Sequence, residues 1–562
     1  MNKKSTLLLV IISIITPIYV ANAQSKNFKT AKNLDIQYSI LETLDANFVD
    51  SLSVDKLLYT GINSMLRTLD PYTVFIPEEK ASDLEMMTSG SYGGVGSYIR
   101  QGKDGGILIT EPYENSPAVK FGLQPGDKIL SINGESTKDM KVGDASKKMR
   151  GNPNTYIDFT LLKARTKDTV DVKLLREKIH VPDVVYYGTV RDSIGYIQLG
   201  AFTSNGSKDV ADAFKDLKTN HNIKRLVLDL RGNGGGLMSE AINIVSLFVP
   251  KGTLVVTAKG RSMGKMKYYT KTKPMDTEIP IMVLVNSSSA SSSEIVTGAL
   301  QDLDRAVVAG SRSFGKGLVQ SIQNVGYDSS LKLTTAKYYT PSGRCVQALD
   351  YTHRNSDGSV GAIPDSLKHA FKTTNGKIVY DGGGIDPTVK VSSDTLSRAM
   401  LSLFYSGAMT DYAIKYYTEH DSIAVISKFK IDSTEYSSFI DFVKSKKVDL
   451  RNDAEIEMDK VILAAKRDKI YDKVKDNLES TKKHLAIDTV AFFNENHSVI
   501  NEMLGNEIVT LYYYRRGRAE YSLRSDEQFH KALNKWDKAL VELNMVVVEK
   551  EEVDTAKVAG EK

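Results

Sequence analysis

A run of serines follows a short apolar segment near the middle of the chain. The segment Ile281 to Val285 is entirely apolar, as is typical of a buried strand, and the residues Asn286 to Ser293 that follow it are small and polar. A helical pattern begins at Ile295, so a strand meets a helix here. Such a junction presents a hydroxyl beside N–H groups that lack helical partners, where the helix dipole adds positive potential. It suits a nucleophilic serine with an oxyanion hole, although Ser291-x-x-Glu294 is equally typical of an ordinary capping box.

A lysine that lies between two glycines follows the serine cluster. Lys316 stands between Gly315 and Gly317, and glycine permits close backbone approach and unusual dihedral angles. A lysine acts as a general base only if burial lowers its pKa, which an aromatic and glycine-rich setting permits. An ordinary loop lysine is the alternative.

The same lysine also completes part of a nucleotide-binding pattern. Gly310-x-x-x-x-Gly315-Lys316 follows a predicted strand, as a P-loop would. Gly317, however, occupies the position where a Ser or Thr should bind magnesium, and the segment Val319 to Val325 has strand character instead of helical character. These two departures disfavour a nucleotide site.

A glycine run follows another apolar strand candidate. Asp229-Leu230-Arg231 leads into Gly232-Asn233-Gly234-Gly235-Gly236, and a helical pattern comes after it. Glycines in this position expose a row of backbone N–H groups. They can bind an oxyanion or a phosphate, or they can form a tight connection without a ligand.

The elements that must position these residues change character along the chain. Residues 31–70 have helical periodicity, residues 85–178 contain short strands separated by turn residues, and residues 185–390 alternate strand and helix signals. From Ser397 onward the pattern is helical and charged, with Leu463, Ile470, Val474 and Leu478 on one predicted helical face. The predicted domains are a signal peptide (1–23), an N-terminal helical region (24–84), a β-rich domain (85–178), an α/β core (179–396), a C-terminal helical domain (397–548) and a disordered tail (549–562).

The order and spacing of these motifs resemble the C-terminal processing peptidases, also called tail-specific proteases. The shared features are the glycine run, a Ser-Ala-Ser-x-Ser-Glu signature at Ser289–Glu294, the Gly-Lys-Gly motif and the segment Thr334–Arg344. The resemblance implies a crotonase-like α/β protease core. It also implies that Ser291 is the nucleophile and that Lys316, 25 residues later, is the general base.

The resemblance implies roles for further residues. Gln320 would assist the lysine, and the N–H groups of Ser292 and of Gly235 or Gly236 would bind the oxyanion. Asp302 is sometimes grouped with the catalytic residues, and we expect a structural role for it. The chain departs from the family pattern at Ser292, where alanine is usual, and at Cys345, where serine or threonine is usual. Residues after Ser397 resemble no family that we could name.

The family places a PDZ module before the protease core. The segment Tyr92–Tyr98 resembles the carboxylate-binding loop of such a module, which would bind a free C-terminus through Gly93, Gly94, Val95 and Gly96. A glycine-rich turn without a ligand is the alternative.

Composition limits the classes of protein that remain. The 562 residues are enough for three or four domains, and a formal net charge of +5 gives no reason to expect nucleic acid binding. The N-terminus has the pattern of a signal peptide that ends at Ala21-Asn22-Ala23, which predicts a periplasmic or otherwise exported protein. An uncleaved membrane anchor is the alternative; after cleavage no permanent membrane span is expected.

The sequence also bears on disulfides, metals, cofactors and partners. Cys345 is the single cysteine, so no intrachain disulfide can form, and the histidines show no metal-binding spacing. We therefore expect no metal and no cofactor. Expected partners are the C-termini of proteins or peptides as substrates, and an adaptor protein on the helical domain.

Three hypotheses for the function follow from these observations. The first is an exported endopeptidase that acts near the C-termini of other proteins. The second is an inactive PDZ scaffold, which the intact Ser291, Lys316 and Gln320 disfavour. The third is a crotonase-like acyl-transfer enzyme, which the predicted export and the PDZ-like module disfavour.

Overall fold

The computed structural model describes residues 27–102, 105–191, 193–392 and 396–542. The predicted signal peptide (1–23) and the predicted tail (549–562) lie outside the described residues. The described residues pack as two units, one within the ranges Met1–Glu78 and Gln320–Thr334 and the other within Glu79–Val319 and Thr335–Lys562.

The first unit begins with helices. Helix α1 spans 27–47 and α2 spans Val54–Arg67, with Ser53 capping the first turn of α2. A turn then forms because the Asp70 carboxylate accepts hydrogen bonds from the N–H groups of Tyr72 and Thr73, both at 2.8 Å. The turn leads into strand β1 (Val74–Ile76), which pairs antiparallel with residues 330–332 of the same unit.

The second unit starts with helix α3 and a β-rich domain. Its main sheet is antiparallel, in the order β3-β4-β5-β7-β8, so β3 is an edge strand, and α5 packs against β3. The predicted turn at Asn133-Gly134 joins β5 to β6 with positive φ at both residues (49° and 79°), as a type I′ turn requires. The elements are α3 (Ala81–Ser89), β2 (Ser91–Gly94), β3 (Ser97–Gln101), β4 (Ile107–Pro112), α4 (Pro117–Lys120), β5 (Lys128–Ile132), β6 (Glu135–Ser136), α5 (Val142–Met149), β7 (Tyr156–Leu162), β8 (Thr169–Leu175) and β9 (Glu177–His180).

An α/β core follows, as the alternating pattern predicts. Its six-stranded sheet has the order β10-β11-β12-β15-β16-β23 and is parallel except for β10. The elements are β10 (Val184–Val190), β11 (Ile194–Leu199), α6 (Gly206–His221), β12 (Arg225–Asp229), α7 (Met238–Ser246), β13 (Leu254–Gly260), β14 (Gly264–Tyr269), β15 (Ile281–Val285), α8 (Ser292–Asp302), β16 (Ala306–Gly310), β17 (Leu318–Gly326), β18 (Ser329–Tyr339), β19 (Leu349–Arg354), β20 (Val360–Ala362), β21 (Ala370–Lys372), β22 (Ile378–Tyr380) and β23 (Val389–Lys390).

The helical region after Ser397 contains α9 (Arg398–Tyr405), α10 (Ala408–Glu419), α11 (Ser433–Ser445), α12 (Asp453–Arg467), α13 (Tyr471–Leu485), α14 (Thr489–Glu495), α15 (His497–Leu523) and α16 (Glu527–Glu542). The prediction of one helical face through Leu463 and Ile470 is wrong. The chain turns between α12 and α13, where Lys469 has φ of 58°, and both side chains are about half exposed or more.

The two faces of the parallel sheet are covered by helices from different parts of the chain. On one face, residues such as Leu228 and Val283 pack against α6, α7 and α8. On the other face, the alternate residues Val227 and Met282 pack against α16, whose Trp536 is fully buried. The last described helix is therefore part of the protease-like core in its packing, although it follows the boundary predicted at residue 396.

The remaining helices pack around their own core and also contact the β-rich domain. Arg100 on the edge strand β3 forms an ion pair with Asp411 of α10. Arg165 donates to the backbone carbonyl of Tyr417 at 2.7 Å, and its guanidinium lies 4.6 Å from the centre of that ring. The helical region thus contacts the β-rich domain at two places, the edge strand β3 and the turn between β7 and β8.

Candidate active site

The loops that carry the predicted catalytic residues meet at one edge of the parallel sheet. They follow β12, β15 and β16, and the carboxyl ends of parallel strands meet at the same edge. In open α/β sheets this edge is where ligands bind. The fold therefore brings the glycine run, the serine cluster and the Gly-Lys-Gly motif together.

Ser291 has a backbone conformation that serine rarely adopts. Its φ is 56° and its ψ is −115°, and it immediately precedes helix α8. Such a conformation is costly for a residue with a Cβ and occurs most often at functional sites. A sharp turn between a buried strand and a helix exposes the hydroxyl of a nucleophilic serine.

The other serines of the cluster bind the glycine loop instead. The hydroxyl of Ser289 donates to the carbonyl of Leu230 at 2.8 Å, and that of Ser293 donates to Asn233 at 2.9 Å. The Ser292 hydroxyl donates to the carbonyl of Gly236 at 2.8 Å. The hydroxyl at the position where the family usually has alanine therefore fastens the glycine loop to the start of α8.

The glycine loop lies directly against the candidate nucleophile. A Cβ on Gly235 would be 2.8 Å from the Cβ of Ser291 and 2.9 Å from the backbone nitrogen of Ser292, so only glycine fits. The N–H of Gly235 already donates to Asn233 Oδ1 at 2.8 Å. Within the described residues, the N–H groups of Gly236 and Ser292 have no hydrogen-bond partner. Of the N–H groups that the sequence predicted as oxyanion donors, these two are therefore the ones still free to donate.

A buried carboxylate joins the serine loop to the lysine loop. Glu294 Oε2 accepts hydrogen bonds from the N–H groups of Ser291 (3.0 Å) and Lys316 (2.8 Å), so these two nitrogens can be no further apart than the two distances together. Glu294 Oε1 accepts from Ser313 Oγ (2.6 Å) and from the N–H of Gly315 (2.7 Å). Burial raises the pKa of Glu294, and these donors act in the opposite direction.

The sequence indicated only the capping function of Glu294. Its bond from the Ser291 N–H is the half of the capping box that the motif predicts, but the bonds from the lysine loop have no signal in the local pattern. A second residue that sequence reasoning missed is Tyr338, which is fully buried and donates from its hydroxyl to the carbonyl of Ser291 at 3.2 Å.

Lys316 is partly buried, and its loop has no room for larger neighbours. A Cβ on Gly315 would lie 2.5 Å from the Cβ of Ala348, and one on Gly317 would lie 2.8 Å from the nitrogen of Gln347. The glycines on both sides of Lys316 therefore serve close packing, and the backbone of Lys316 is fixed by Glu294.

Two further predicted residues have other partners. Gln320 lies on β17 within the first unit, where its Nε2 donates to Thr334 Oγ1 at 3.2 Å. Asp302 ends helix α8, which starts after Ser291, and its buried carboxylate accepts from Arg344 at 2.7 Å and from the N–H of Ser342 at 3.0 Å.

The predicted tail-binding residues lie at the open side of the β-rich domain. Gly93 and Gly94 belong to β2, which pairs antiparallel with β9, and Val95 and Gly96 connect β2 to the edge strand β3. Gly96 has φ of 74°, and a Cβ there would lie 2.5 Å from the Cβ of Ser116. The sequence did not indicate α5, which packs beside β3.

The described residues contain neither a metal-binding cluster nor a membrane-spanning helix. No group of three or more His, Cys, Asp or Glu side chains there is arranged to hold a metal ion. Among the helices of that same part of the chain, none combines the length and the apolar character that crossing a bilayer requires.

Models of known protein families match three parts of this chain. Residues 193–353 match peptidase family S41, residues 108–163 match the PDZ domain, and residues 399–535 match the probable PDZ-protease C-terminal helical domain. The last match gives a family to the region that sequence reasoning could not place. The fold is therefore mixed α/β with a PDZ domain and a C-terminal helical domain.

Individual relatives agree with these matches. The chain is 37% identical over 326 residues to a carboxy-terminal-processing protease of Bartonella bacilliformis, covering 58% of this chain and 74% of the relative. It is 34% identical over 346 residues to a probable CtpA-like serine protease of Staphylococcus aureus strain N315, covering 61% and 68%. A solved photosystem II D1 C-terminal processing protease is 26% identical, with a TM-score of 0.35 and coverage of 63% and 92%.

The family matches and the two sequence relatives define a serine-type peptidase with a PDZ domain. The chain belongs to peptidase family S41, among the carboxy-terminal-processing proteases.

Proposed function

We propose that this protein is an exported endopeptidase that recognises the C-terminal tails of other proteins and cleaves them with a Ser291–Lys316 dyad. The observation that carries the proposal is the single carboxylate oxygen of Glu294 that accepts from the N–H groups of both Ser291 and Lys316. This contact holds the candidate nucleophile and the candidate base at one site.

The reaction would proceed through an acyl-enzyme. The Ser291 hydroxyl attacks the scissile carbonyl while the neutral amine of Lys316 takes its proton. The N–H groups of Ser292 and Gly236 bind the resulting oxyanion. The lysine then returns its proton to the leaving amine, and a water molecule, deprotonated by the same lysine, hydrolyses the ester and frees Ser291.

Tail recognition would use the edge strand β3, with α5 packed beside it. An extended peptide can add to an exposed sheet edge through main-chain hydrogen bonds, and β3 is such an edge. The connection through Val95 and Gly96 at the start of β3 would receive the terminal carboxylate, with Gly93 and Gly94 shaping the strand before it.

The remaining parts of the proposal rest on the sequence. The leader at residues 1–23 supports export to the periplasm or beyond, and the motif resemblance supports a crotonase-like core and an assisting role for Gln320. We assign a structural role to Asp302 because its hydrogen-bond partners are Arg344, Thr340 and Ser342. The helical domain is also offered as the place where an adaptor protein would bind.

Labelling with a serine-directed fluorophosphonate tests the proposal. The wild-type protein should be labelled and should cleave peptides, and Ser291→Ala should lose both properties while keeping its fold. Ser288→Ala is the matched control: this serine of the same cluster is exposed, so its loss should change stability by less than about 0.5 kcal/mol and retain labelling. Labelling of Ser291→Ala would identify another nucleophile, and no labelling of the wild type would favour the inactive scaffold.

A further inference from the structure

Arg231, at the start of the glycine loop, connects that loop to the end of the helical region. It lies two residues after the end of strand β12 and directly precedes Gly232, and its side chain is only 15% exposed. Its Nε donates to both carboxylate oxygens of Asp229 at 3.0 Å. One side of the guanidinium is thus held by the strand from which the loop emerges.

The other side of the guanidinium is held by the end of the helical region. Nη1 of Arg231 donates to Asp526 Oδ1 at 3.1 Å and to Gln528 Oε1 at 3.0 Å, and Nη2 donates to Asp526 Oδ2 at 2.6 Å. Asp526 therefore contacts the guanidinium through both oxygens, the strongest arrangement available to an arginine and a carboxylate.

Asp526 is itself fixed in place. It precedes α16, and its Oδ1 accepts the N–H of Phe529 at 2.8 Å, as a helix-capping residue does. Helix α16 packs on the parallel sheet through Phe529 and Trp536. A rigid element thus presents the carboxylate to Arg231.

The loop that Arg231 anchors is hydrogen-bonded to the serine cluster, so a shift of the loop would also shift the serines. Leu230, on one side of Arg231, accepts the hydroxyl of Ser289 through its carbonyl, and the N–H of Gly232, on the other side, donates to Asn286 Oδ1 at 3.0 Å. The same loop ends at Gly236, whose carbonyl accepts the hydroxyl of Ser292.

We infer that Asp526, at the start of the last described helix, is a positioning residue for the protease reaction: acting through Arg231, it sets the geometry of the loop that supplies the Gly236 oxyanion donor. The inference rests on the proposed function. It assigns to the helical region an indirect part in the reaction, through the position of the glycine loop, and this part is separate from any adaptor.

The test compares two ways of removing the Asp526 carboxylate. Asp526→Ser keeps a capping hydroxyl but is too short to hold Arg231, and Asp526→Asn keeps size and cap but loses the charge. Because small errors in position are costly in an active site, we expect Asp526→Ser to lower kcat about tenfold or more with little change in KM, and Asp526→Asn to fall between it and the wild type. The matched control is Asp432→Ser, which removes another capping aspartate, before α11, and should leave kcat unchanged.

A double-mutant cycle with Arg231→Gln separates positioning from stability. If Asp526 acts through Arg231, adding Asp526→Asn to Arg231→Gln should lower kcat no further. Equal kcat in Asp526→Ser and wild type, or full additivity in the cycle, would overturn the inference. The fluorophosphonate experiment with Ser291→Ala is independent of both, so failure of the proposed function would be recognised separately.

Discussion

At the scale of individual residues, the serines of the cluster have different roles. Ser289, Ser292 and Ser293 each donate a hydroxyl hydrogen bond to the glycine loop, and Ser291 has the strained backbone. The sequence predicted the role of Ser291 from the spacing of a motif. The roles of its neighbours depend on a loop some 55 residues earlier in the chain, and spacing within the motif carries no information about that contact.

Also at the scale of residues, the general-base role of Lys316 can be tested by a substitution that keeps its positive charge. Lys316→Arg should be as inactive as Lys316→Ala, because a guanidinium stays protonated and cannot accept the serine proton. In the wild type, kcat/KM should rise with pH as the neutral amine becomes available. Cleavage assays across pH would check both results, and an active Lys316→Arg variant would exclude the general-base role.

At the scale of elements, the glycine loop can be tested by adding one methyl group. Gly235→Ala places a Cβ 2.7 Å from the carbonyl of Ala290, so the loop must move away from Ser291 and kcat should fall about a hundredfold. Gly234→Ala is the control from the same loop, since nothing lies within 4 Å of its Cβ. Equal losses in both variants would show that the loop as a whole tolerates no substitution.

The packing of α16 gives a second prediction at this scale. Trp536 is fully buried against the parallel sheet, so Trp536→Ala should cost about 3–5 kcal/mol of unfolding free energy. Val541, on the same helix, is 63% exposed, and Val541→Ala should change stability by less than about 0.5 kcal/mol. Denaturant unfolding measures both. A small effect of Trp536→Ala would mean that α16 is not part of the core.

The elements also show where prediction from the sequence stops. The strands β12, β15 and β16 were evident because buried parallel strands are continuous apolar runs. The turn between α12 and α13 was not, because Arg467 to Tyr471 contains neither glycine nor proline and the apolar spacing continues across it. The packing of α16 on the sheet was also hidden, since an amphipathic pattern shows that a face is buried but not which surface covers it.

At the scale of the whole molecule, the proposed tail recognition would link the PDZ domain to the protease. A peptide substrate and its C-terminally amidated twin should differ about tenfold to hundredfold in KM, because amidation removes a charge-assisted hydrogen bond worth roughly 1.5–3 kcal/mol. Competition assays with both peptides measure the difference. A matching fall in kcat would show that tail binding also assembles the active site.

Controls for this experiment come from the same domain. Gly96→Ala should erase the difference between the peptides, because its Cβ would collide with Ser116 and displace the start of β3. Gly134→Ala has a similar positive φ but open space around it, so it should preserve the difference. Equal cleavage of both peptides by the wild type would show that Val95 and Gly96 only connect β2 to β3 and do not bind the terminal carboxylate.

The packing of α16 also has a consequence for clipping of the protein. A cut between α15 and α16 that released this helix would uncover Val227 and Met282 and would leave Arg231 without Asp526. Such a chain would still contain Ser291 and Lys316, but one face of the sheet that positions them would have lost its cover. Release of this helix would thus be a way to switch off proteolysis without changing either residue of the proposed dyad.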